Sequence, residues 1–109
     1  MPLDLPKTGP SLYAYYMHNG DVDIELDPAK ARANLRKHRV SFADAEQALR
    51  DPFAVTIDDP DAQGEQRFVT LGLDALGRVL VVVHTARGDR VRLISARKAS
   101  KGEVEQYHA

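Results

Sequence analysis

Two adjacent β-strands are predicted by residues 77–100, GRVLVVVHTARGDRVRLISARKAS. The first contains an apolar run, residues 79–83, whose length is that of a buried strand, and it ends at His84. After a glycine turn, the second strand carries Arg90 and Arg92, which extend from one face of the sheet because strand residues alternate. Folding gains nothing from so many neighbouring cations, so we expect this region to bind a polyanion. The cations of this stretch include Arg87, Arg90, Arg92, Arg97 and Lys98.

The N-terminal half of the chain predicts one strand followed by two helices. Residues 21–26 alternate acidic and aliphatic side chains, as in a strand that is buried on one face. Asp27 and Pro28 supply the N-cap and the first residue of a helix that extends to about residue 38. A Ser41–Asp44 pair resembles a capping box, which opens a second helix over residues 42–50. The positions expected to share an inner face are Val22, Ile24 and Leu26 in the strand, Ala29, Ala31, Leu35 and His38 in the first helix, and Phe42, Ala45, Ala48 and Leu49 in the second.

The C-terminal half predicts four strands and a closing helix. The strands are expected over residues 53–57, 67–73, 78–85 and 90–95, and short turns join the last three into an antiparallel meander. Ser100 and Glu103 form another capping-box pair, which predicts a helix over residues 101–108. The order β-α-α-β-β-β-β-α indicates an α+β fold. We expect an antiparallel sheet of four to five strands, with two N-terminal helices and a C-terminal helix packed on it.

Length and composition limit the kind of protein this chain can be. A chain of 109 residues forms one domain, which we assign to residues 21–109. Residues 1–20 are rich in proline and lack a regular apolar pattern, so we expect a poorly ordered extension. The absence of cysteine excludes disulfides and thiolate metal sites. No apolar run approaches the ~20 residues of a membrane helix, and we therefore expect a cytoplasmic protein without membrane contact.

Charges are separated along the chain although the formal net charge is only −1. Residues 30–39 contain five cations and no acid, whereas residues 51–65 contain five acids and no cation. Residues 87–101 hold six cations and one acid. Each block alone is typical of a solvated surface, but together they predict faces of opposite sign.

The remaining chemistry fits cleavage of RNA. The sequence has neither a glycine-rich phosphate loop nor the paired histidines of a zinc site, so we expect no metal and no cofactor. RNA carries its own nucleophile, the 2′-hydroxyl. Arginine suits the phosphate because its planar fork matches two oxygens, and histidine or lysine moves protons when its pKa is near neutrality. The candidates are Lys37, His38, Arg67, His84 and the arginines of the last strand.

Three of these candidates also have structural explanations. His84 ends a buried strand, a position that is equally typical of a hydrogen-bonded core histidine. His38 at a helix C-terminus interacts favourably with the helix dipole. Arg67 has Glu65 and the neighbouring acidic loop as ion partners.

Three blocks of the chain resemble the BrnT toxins of bacterial type II toxin–antitoxin systems. They are DPAKARANLRKHRVSFADA, DPFAVTIDDPDAQGEQRFVTLG and GRVLVVVHTARGDRVRLISARKASKGEVEQY, and the resemblance covers residues 24–107. It implies a RelE-like fold and a ribonuclease that arrests translation. It also implies a BrnA-like ribbon-helix-helix antitoxin as partner, with operator DNA bound only through the toxin–antitoxin complex.

The resemblance also assigns positions within the family pattern. It places Lys37 and His38 in the KH motif, Arg67 in E-x-R-F and His84 in VVVHT, whereas Arg39 departs from the glycine that commonly follows KH. A left-handed helix end at Arg39 would carry a cost that glycine avoids. The remaining cations occupy the RGDR turn and the segment leading to ARKA. They are Arg87 and Arg90, then Arg92, Arg97 and Lys98.

We therefore expect a metal-independent endoribonuclease that acts by 2′-hydroxyl attack. The alternative is a non-catalytic, nucleic-acid-binding co-repressor subunit that works together with a ribbon-helix-helix antitoxin. Which residue acts as the general base stays open. The expected catalytic residues are Lys37, His38, Arg67, His84, Arg92 and Arg97, and the expected substrate-binding residues are Arg87, Arg90 and Lys98.

Overall fold

Three helices and five strands make up the part of the chain that the computed structural model describes, residues 23–109. The predicted extension and the first two residues of the predicted N-terminal strand lie outside this part. The elements in chain order are β1 (Asp23–Glu25), α1 (Pro28–His38), α2 (Phe42–Leu49), β2 (Val55–Asp58), β3 (Phe68–Leu73), β4 (Val79–Arg87), β5 (Arg90–Lys98) and α3 (Lys101–His108).

The five strands form one sheet in the order β1-β5-β4-β3-β2. Strands β2 to β5 pair as the predicted antiparallel meander. Strand β1 pairs parallel to β5, with Ile24 opposite Val91. The α+β class is confirmed, and the prediction of an antiparallel sheet is wrong only for this pair. Because β1 continues into α1 rather than into a hairpin turn, nothing requires it to run against β5.

The helices lie on both faces of the sheet. Helices α1 and α2 cover one face, and their core includes Val40, Phe42 and Ala45 against Leu80 and Leu93. Helix α3 packs on the apolar part of the other face. This second cluster consists of Val69, Leu71, Val79 and Val81, with Val104 and Tyr107 against it.

Helix α2 approaches the sheet most closely at Gly72. A Cβ added to Gly72 would lie 2.1 Å from the carbonyl oxygen of Ala48. Any larger residue would therefore displace the helix from β3. This contact brings α2 directly onto the backbone of the sheet.

The helix ends follow the predicted caps. The carboxylate of Asp27 accepts the N–H of Ala29 at 2.9 Å and that of Lys30 at 3.4 Å. Ser100 and Glu103 form a complete capping box at the start of α3. Arg39 ends α1 in the left-handed conformation, with φ 59°, and its N–H donates to the carbonyl of Leu35. The chain therefore makes the left-handed turn with arginine at the position where the family commonly has glycine.

The buried side of α1 differs from the prediction. Leu35 is 49% exposed, whereas Asn34 is buried. The Asn34 side chain accepts the N–H of Ala96 at 2.9 Å and donates to the Ala96 carbonyl at 2.8 Å and the Val40 carbonyl at 2.9 Å. Strand β1 ends opposite Arg92, so the backbone N–H and C=O groups on the outer edge of β5 after Arg92 need other hydrogen-bond partners. Asn34 supplies them, and α1 consequently lies along this edge.

The start of β2 also differs from the prediction. Phe53 is 78% exposed, and the strand begins at Val55. The Asp51 carboxylate accepts the N–H of Phe53 at 2.9 Å and that of Leu73 at 2.8 Å. A turn of this kind is typical of Asp and takes the chain away from the sheet before the strand starts. Within residues 23–109, no helix is long and apolar enough to cross a membrane.

We expect Asn34→Ala to lower the free energy of unfolding by about 2–4 kcal/mol, because it leaves three buried backbone groups without partners. Leu35→Ala is the matched control, since it shortens a half-exposed neighbour on the same helix, and it should change stability by less than about 0.5 kcal/mol. Urea denaturation of both variants measures the difference. Equal effects of the two substitutions would contradict this role of Asn34.

Candidate nucleic-acid interface

A groove lies between α1 and the loop that joins β2 to β3. One depression of about 400 Å³ is lined by Lys30, Asp61, Gln63, Glu65, Arg67 and Ile94. A second depression of about 270 Å³ is lined by Lys30, Ala33, Asn34, Lys37, His38, Ile94 and Ser95. Because Lys30 and Ile94 line both, the two depressions adjoin.

A register shift in the sheet brings Ile94 into this groove. Val83 is opposite Ser95 and His84 is opposite Leu93, so Ile94 is an extra residue in β5. Such β-bulges re-aim side chains locally and are frequent beside functional sites.

Four arginines extend in two rows across the sheet next to the groove. The first arginine row consists of Arg92 and Arg67. Arg92 is opposite Thr85 of β4, and Arg67, which immediately precedes β3, is level with the same Thr85 on the other side of β4. In the second arginine row, Arg90 is opposite Arg87. The two rows are two residues apart along the strands, so all four side chains share the face that α3 covers elsewhere.

Each of these arginines has a carboxylate nearby, but none of the four ion pairs is tight. The N–O distances are 3.4 Å for Arg67–Asp59, 3.7 Å for Arg92–Glu25, 3.6 Å for Arg87–Glu65 and 3.6 Å for Arg90–Asp23. A strong charge-assisted hydrogen bond measures about 2.7–2.9 Å, and exposed pairs are worth only about 0–1 kcal/mol. The predicted separation into faces of opposite sign is wrong here, since acids from distant segments converge on the cations.

The first arginine row also contains hydrogen-bond donors without acceptors. The Nε atoms of Arg67 and Arg92 are buried and have no hydrogen-bond partner among the described residues. Arg67 otherwise reaches the backbone carbonyl of Asp61 at 3.4 Å. Buried donors are rarely left unpaired in proteins, so the hydrogen-bonding capacity of these two guanidiniums is not used up by the fold.

Arg97 is bound in a different way from the four row arginines. Its two terminal nitrogens donate to both carboxylate oxygens of Glu103, at 2.8 and 2.9 Å. Burial alone would raise the pKa of Glu103, but hydrogen bonds from Arg97 and Ser100 outweigh it and lower the pKa to about 2. The Arg97 guanidinium therefore links β5 to α3. Lys98, the next residue, is exposed and lies opposite Leu80 at the other face of the sheet.

His84 lies on the face that α1 and α2 cover, away from the arginine rows. It is 1% exposed, and its Nε2 is 2.8 Å from the hydroxyl of Thr70. Its ring stacks on Phe68 with centroids 5.8 Å apart, and burial lowers the pKa of His84 to about 4. The structure therefore brings together Arg67, Arg87, Arg90 and Arg92. Lys37 and His38 line the adjoining depression, whereas His84 and Arg97 are held elsewhere.

Two residues that line the groove, Lys30 and Glu65, are not among the site residues predicted from the sequence. Lys30 lies four and seven residues before Asn34 and Lys37, so helical spacing alone places the three on one face. Glu65 was considered only as an ion partner of Arg67. Its carboxylate instead accepts the hydroxyl of Thr85 at 3.1 Å and lies near Arg87. Among residues 23–109, no three His, Asp or Glu side chains converge as a metal site requires.

The fold and this groove define a small α+β protein with two rows of arginines on the open part of its sheet. The family model of the BrnT ribonuclease toxin of type II toxin–antitoxin systems matches residues 26–103. The chain therefore belongs to the BrnT family of ribonuclease toxins.

A solved structure agrees with this family assignment. The 1.1 Å crystal structure of the Brucella abortus ribonuclease toxin BrnT is similar to the chain, with a TM-score of 0.56 and 25% sequence identity. The match covers 74% of this chain and 100% of that one. No curated protein matches the chain. Family membership makes this protein the ribonuclease toxin of a toxin–antitoxin pair, with an RNA substrate and an antitoxin partner.

The Glu103 ion pair predicts how stability depends on pH. Since the pKa of Glu103 in the fold, about 2, lies below its ordinary value of 4.5, the pair stabilises the fold above about pH 5, and this contribution is lost as the pH falls toward 2. Between pH 6 and pH 2.5, we expect the free energy of unfolding to fall by about 2–3 kcal/mol more in the wild-type protein than in the Glu103→Gln variant. Urea titrations at both pH values test this. Glu105→Gln, an exposed change on the same helix, should behave like wild type, and a Glu103→Gln curve parallel to wild type would contradict the assignment.

Proposed function

We propose that the groove binds single-stranded RNA and that the protein cleaves it without a metal ion, by attack of the 2′-hydroxyl on the adjacent phosphate. The observation that carries this proposal is the pair of buried, unpartnered Nε–H donors of Arg67 and Arg92 in one row. Phosphate oxygens are strong acceptors that match the arginine fork. Cleavage of messenger RNA in the cytoplasm would stop translation.

The first arginine row is suited to the phosphate under attack. Arg67 and Arg92 are separated by one strand, so their Cα atoms lie about 10 Å apart. Two long side chains can converge on one phosphate across that distance. Their pairs with Asp59 and Glu25, at 3.4 and 3.7 Å, are longer than strong charge-assisted hydrogen bonds, so both guanidiniums keep the capacity to bind a phosphate. The charge that grows on the phosphate in the transition state is then stabilised by two preorganised cations.

The second arginine row is suited to the neighbouring phosphate. Two residues along a strand span about 6.8 Å, which is comparable to the separation of successive phosphates on an extended strand. Arg87 and Arg90 would therefore hold the RNA in register without contacting the reacting atoms. Lys37 and His38, in the adjoining depression, are the candidates for proton transfer. In this proposal Arg97 and His84 have structural roles.

The antitoxin partner is proposed to be a ribbon-helix-helix protein that represses the operon in complex with this chain. The sequence resemblance described above supports this class. Purification of the chain together with the product of the adjacent gene, followed by an operator-binding assay with and without the toxin, tests it. Operator binding that requires this chain while RNA stays intact would favour the co-repressor alternative.

We expect purified protein to cleave single-stranded RNA in EDTA, and Arg92→Ala to reduce single-turnover cleavage by about 100- to 1,000-fold, because one transition-state donor is lost. Arg90→Ala should weaken RNA binding and leave the cleavage rate at saturation nearly unchanged. Lys101→Ala removes an exposed cation at the start of α3 and is the matched charge control. Activity that disappears in EDTA, or an Arg92→Ala variant as active as Lys101→Ala, would contradict the proposal.

A further inference from the structure

Glu65 lies between the two arginine rows. Its Oε1 atom accepts the hydroxyl of Thr85 at 3.1 Å and is 3.6 Å from Nε of Arg87. Thr85 belongs to the first row and Arg87 to the second. The side chain is 53% exposed and lines the larger depression of the groove. The Glu65 carboxylate therefore contacts one residue of each row from within the groove.

The Glu65 carboxylate lies beside a fixed hydroxyl group. Thr85 is 2% exposed, and its hydroxyl donates to the backbone carbonyl of Gln66 at 2.8 Å and shares this proton with Glu65 at 3.1 Å. The loop carrying Glu65 is tied to the sheet by the hydrogen bond from the Asp59 N–H to the Arg67 carbonyl, at 2.8 Å.

The gap between the arginine rows is where RNA bound to both rows would present its nucleophile. A ribose lies between two successive phosphates, and its 2′-hydroxyl attacks the phosphate on its 3′ side. If the two arginine rows hold successive phosphates, this ribose lies over the gap between the rows. Glu65 is the carboxylate that the structure places in this gap.

We infer that Glu65 is the general base of the reaction, an inference that rests on the proposed function. The carboxylate takes the proton of the 2′-hydroxyl, and O2′ forms a bond to phosphorus while the bond from phosphorus to O5′ breaks. O5′ takes a proton from Lys37, His38 or water. The products are a 2′,3′-cyclic phosphate and a 5′-hydroxyl, so atoms and charge balance.

The other candidate bases are less suited by position or chemistry. His84 is buried on the opposite face of the sheet. A charged lysine is a donor only, which suits Lys37 to the leaving oxygen rather than to the nucleophile. His38 lines the depression next to α1, whereas Glu65 lines the depression next to the arginine rows.

The variant Glu65→Gln tests this inference because it keeps the shape of the side chain and removes its ability to accept the proton. We expect single-turnover cleavage of RNA to fall about 100-fold or more. Binding of a 2′-O-methyl RNA of the same sequence should be unchanged or tighter, because a negative charge has left the groove. Glu65→Asp, which keeps a carboxylate, should restore part of the cleavage rate.

Asp23→Asn is the matched control. Asp23 pairs with Arg90 in the same row and at the same 3.6 Å distance, but at the other end of the row, on β1. The cleavage rate of the Asp23→Asn variant should stay within about fivefold of the wild-type rate, because an exposed ion pair contributes little. Glu65→Gln cleaving as fast as Asp23→Asn would overturn the inference while the proposed function stands. Equal losses of analogue binding and cleavage in Glu65→Gln would also overturn it, since Glu65 would then only position Arg87. A wild-type protein that leaves RNA intact would overturn the proposed function itself.

Discussion

The arrangement of the site depends on how the outer edge of β5 is closed. Strand β1 is only three residues long, so it pairs with the beginning of β5 and leaves the rest of that edge without a strand. Asn34 then takes the place of a strand residue by accepting from and donating to the backbone of Ala96. These hydrogen bonds join α1 to the edge strand of the sheet, and Ala31 packs α1 against the core of the same face. The groove runs beside α1 at this edge, where Lys30 and Ile94 line it.

Six arginines of the described residues fall into two groups that differ in the distance to their carboxylate partners. Arg97 and Arg78 have carboxylate partners at 2.7–2.9 Å, and these contacts join α3 to β5 and the β3–β4 turn to α2. The four row arginines have partners at 3.4–3.7 Å. Short ion pairs with good hydrogen-bond geometry stabilise a fold, whereas long ion pairs leave the guanidinium able to bind another anion. The ion-pair distance therefore separates structural arginines from candidate RNA-binding arginines, which their residue type alone does not.

Local patterns in the sequence predict most of the elements. Alternation, capping residues and turn glycines identify the strands and helices, and Ser100 and Glu103 open α3 as predicted. The prediction fails where a tertiary contact overrides a local preference. Leu35 was expected inside because it is apolar, but the backbone of Ala96 needs a polar partner, and Asn34 takes the buried position.

The candidate site could be predicted only in part for the same reason. Residue type and the family pattern identify the cations, but not which of them are already bound by acids from distant segments. The sequence around Arg97 does not show that the Glu103 carboxylate is buried against its guanidinium. The sequence around His84 does not show on which face of the sheet the imidazole lies. Glu65 has a role only after folding places it between Thr85 and Arg87.

Binding of RNA to the two arginine rows can be observed residue by residue. The most direct test is to follow the arginine Nε–Hε signals by NMR while a 2′-O-methyl RNA oligonucleotide is added. We expect large changes in the Nε–Hε chemical shifts of the four row arginines, Arg67, Arg87, Arg90 and Arg92, and no change for Arg97 or Arg78. Shifts at Arg97 with unchanged signals from the two rows would contradict this expectation.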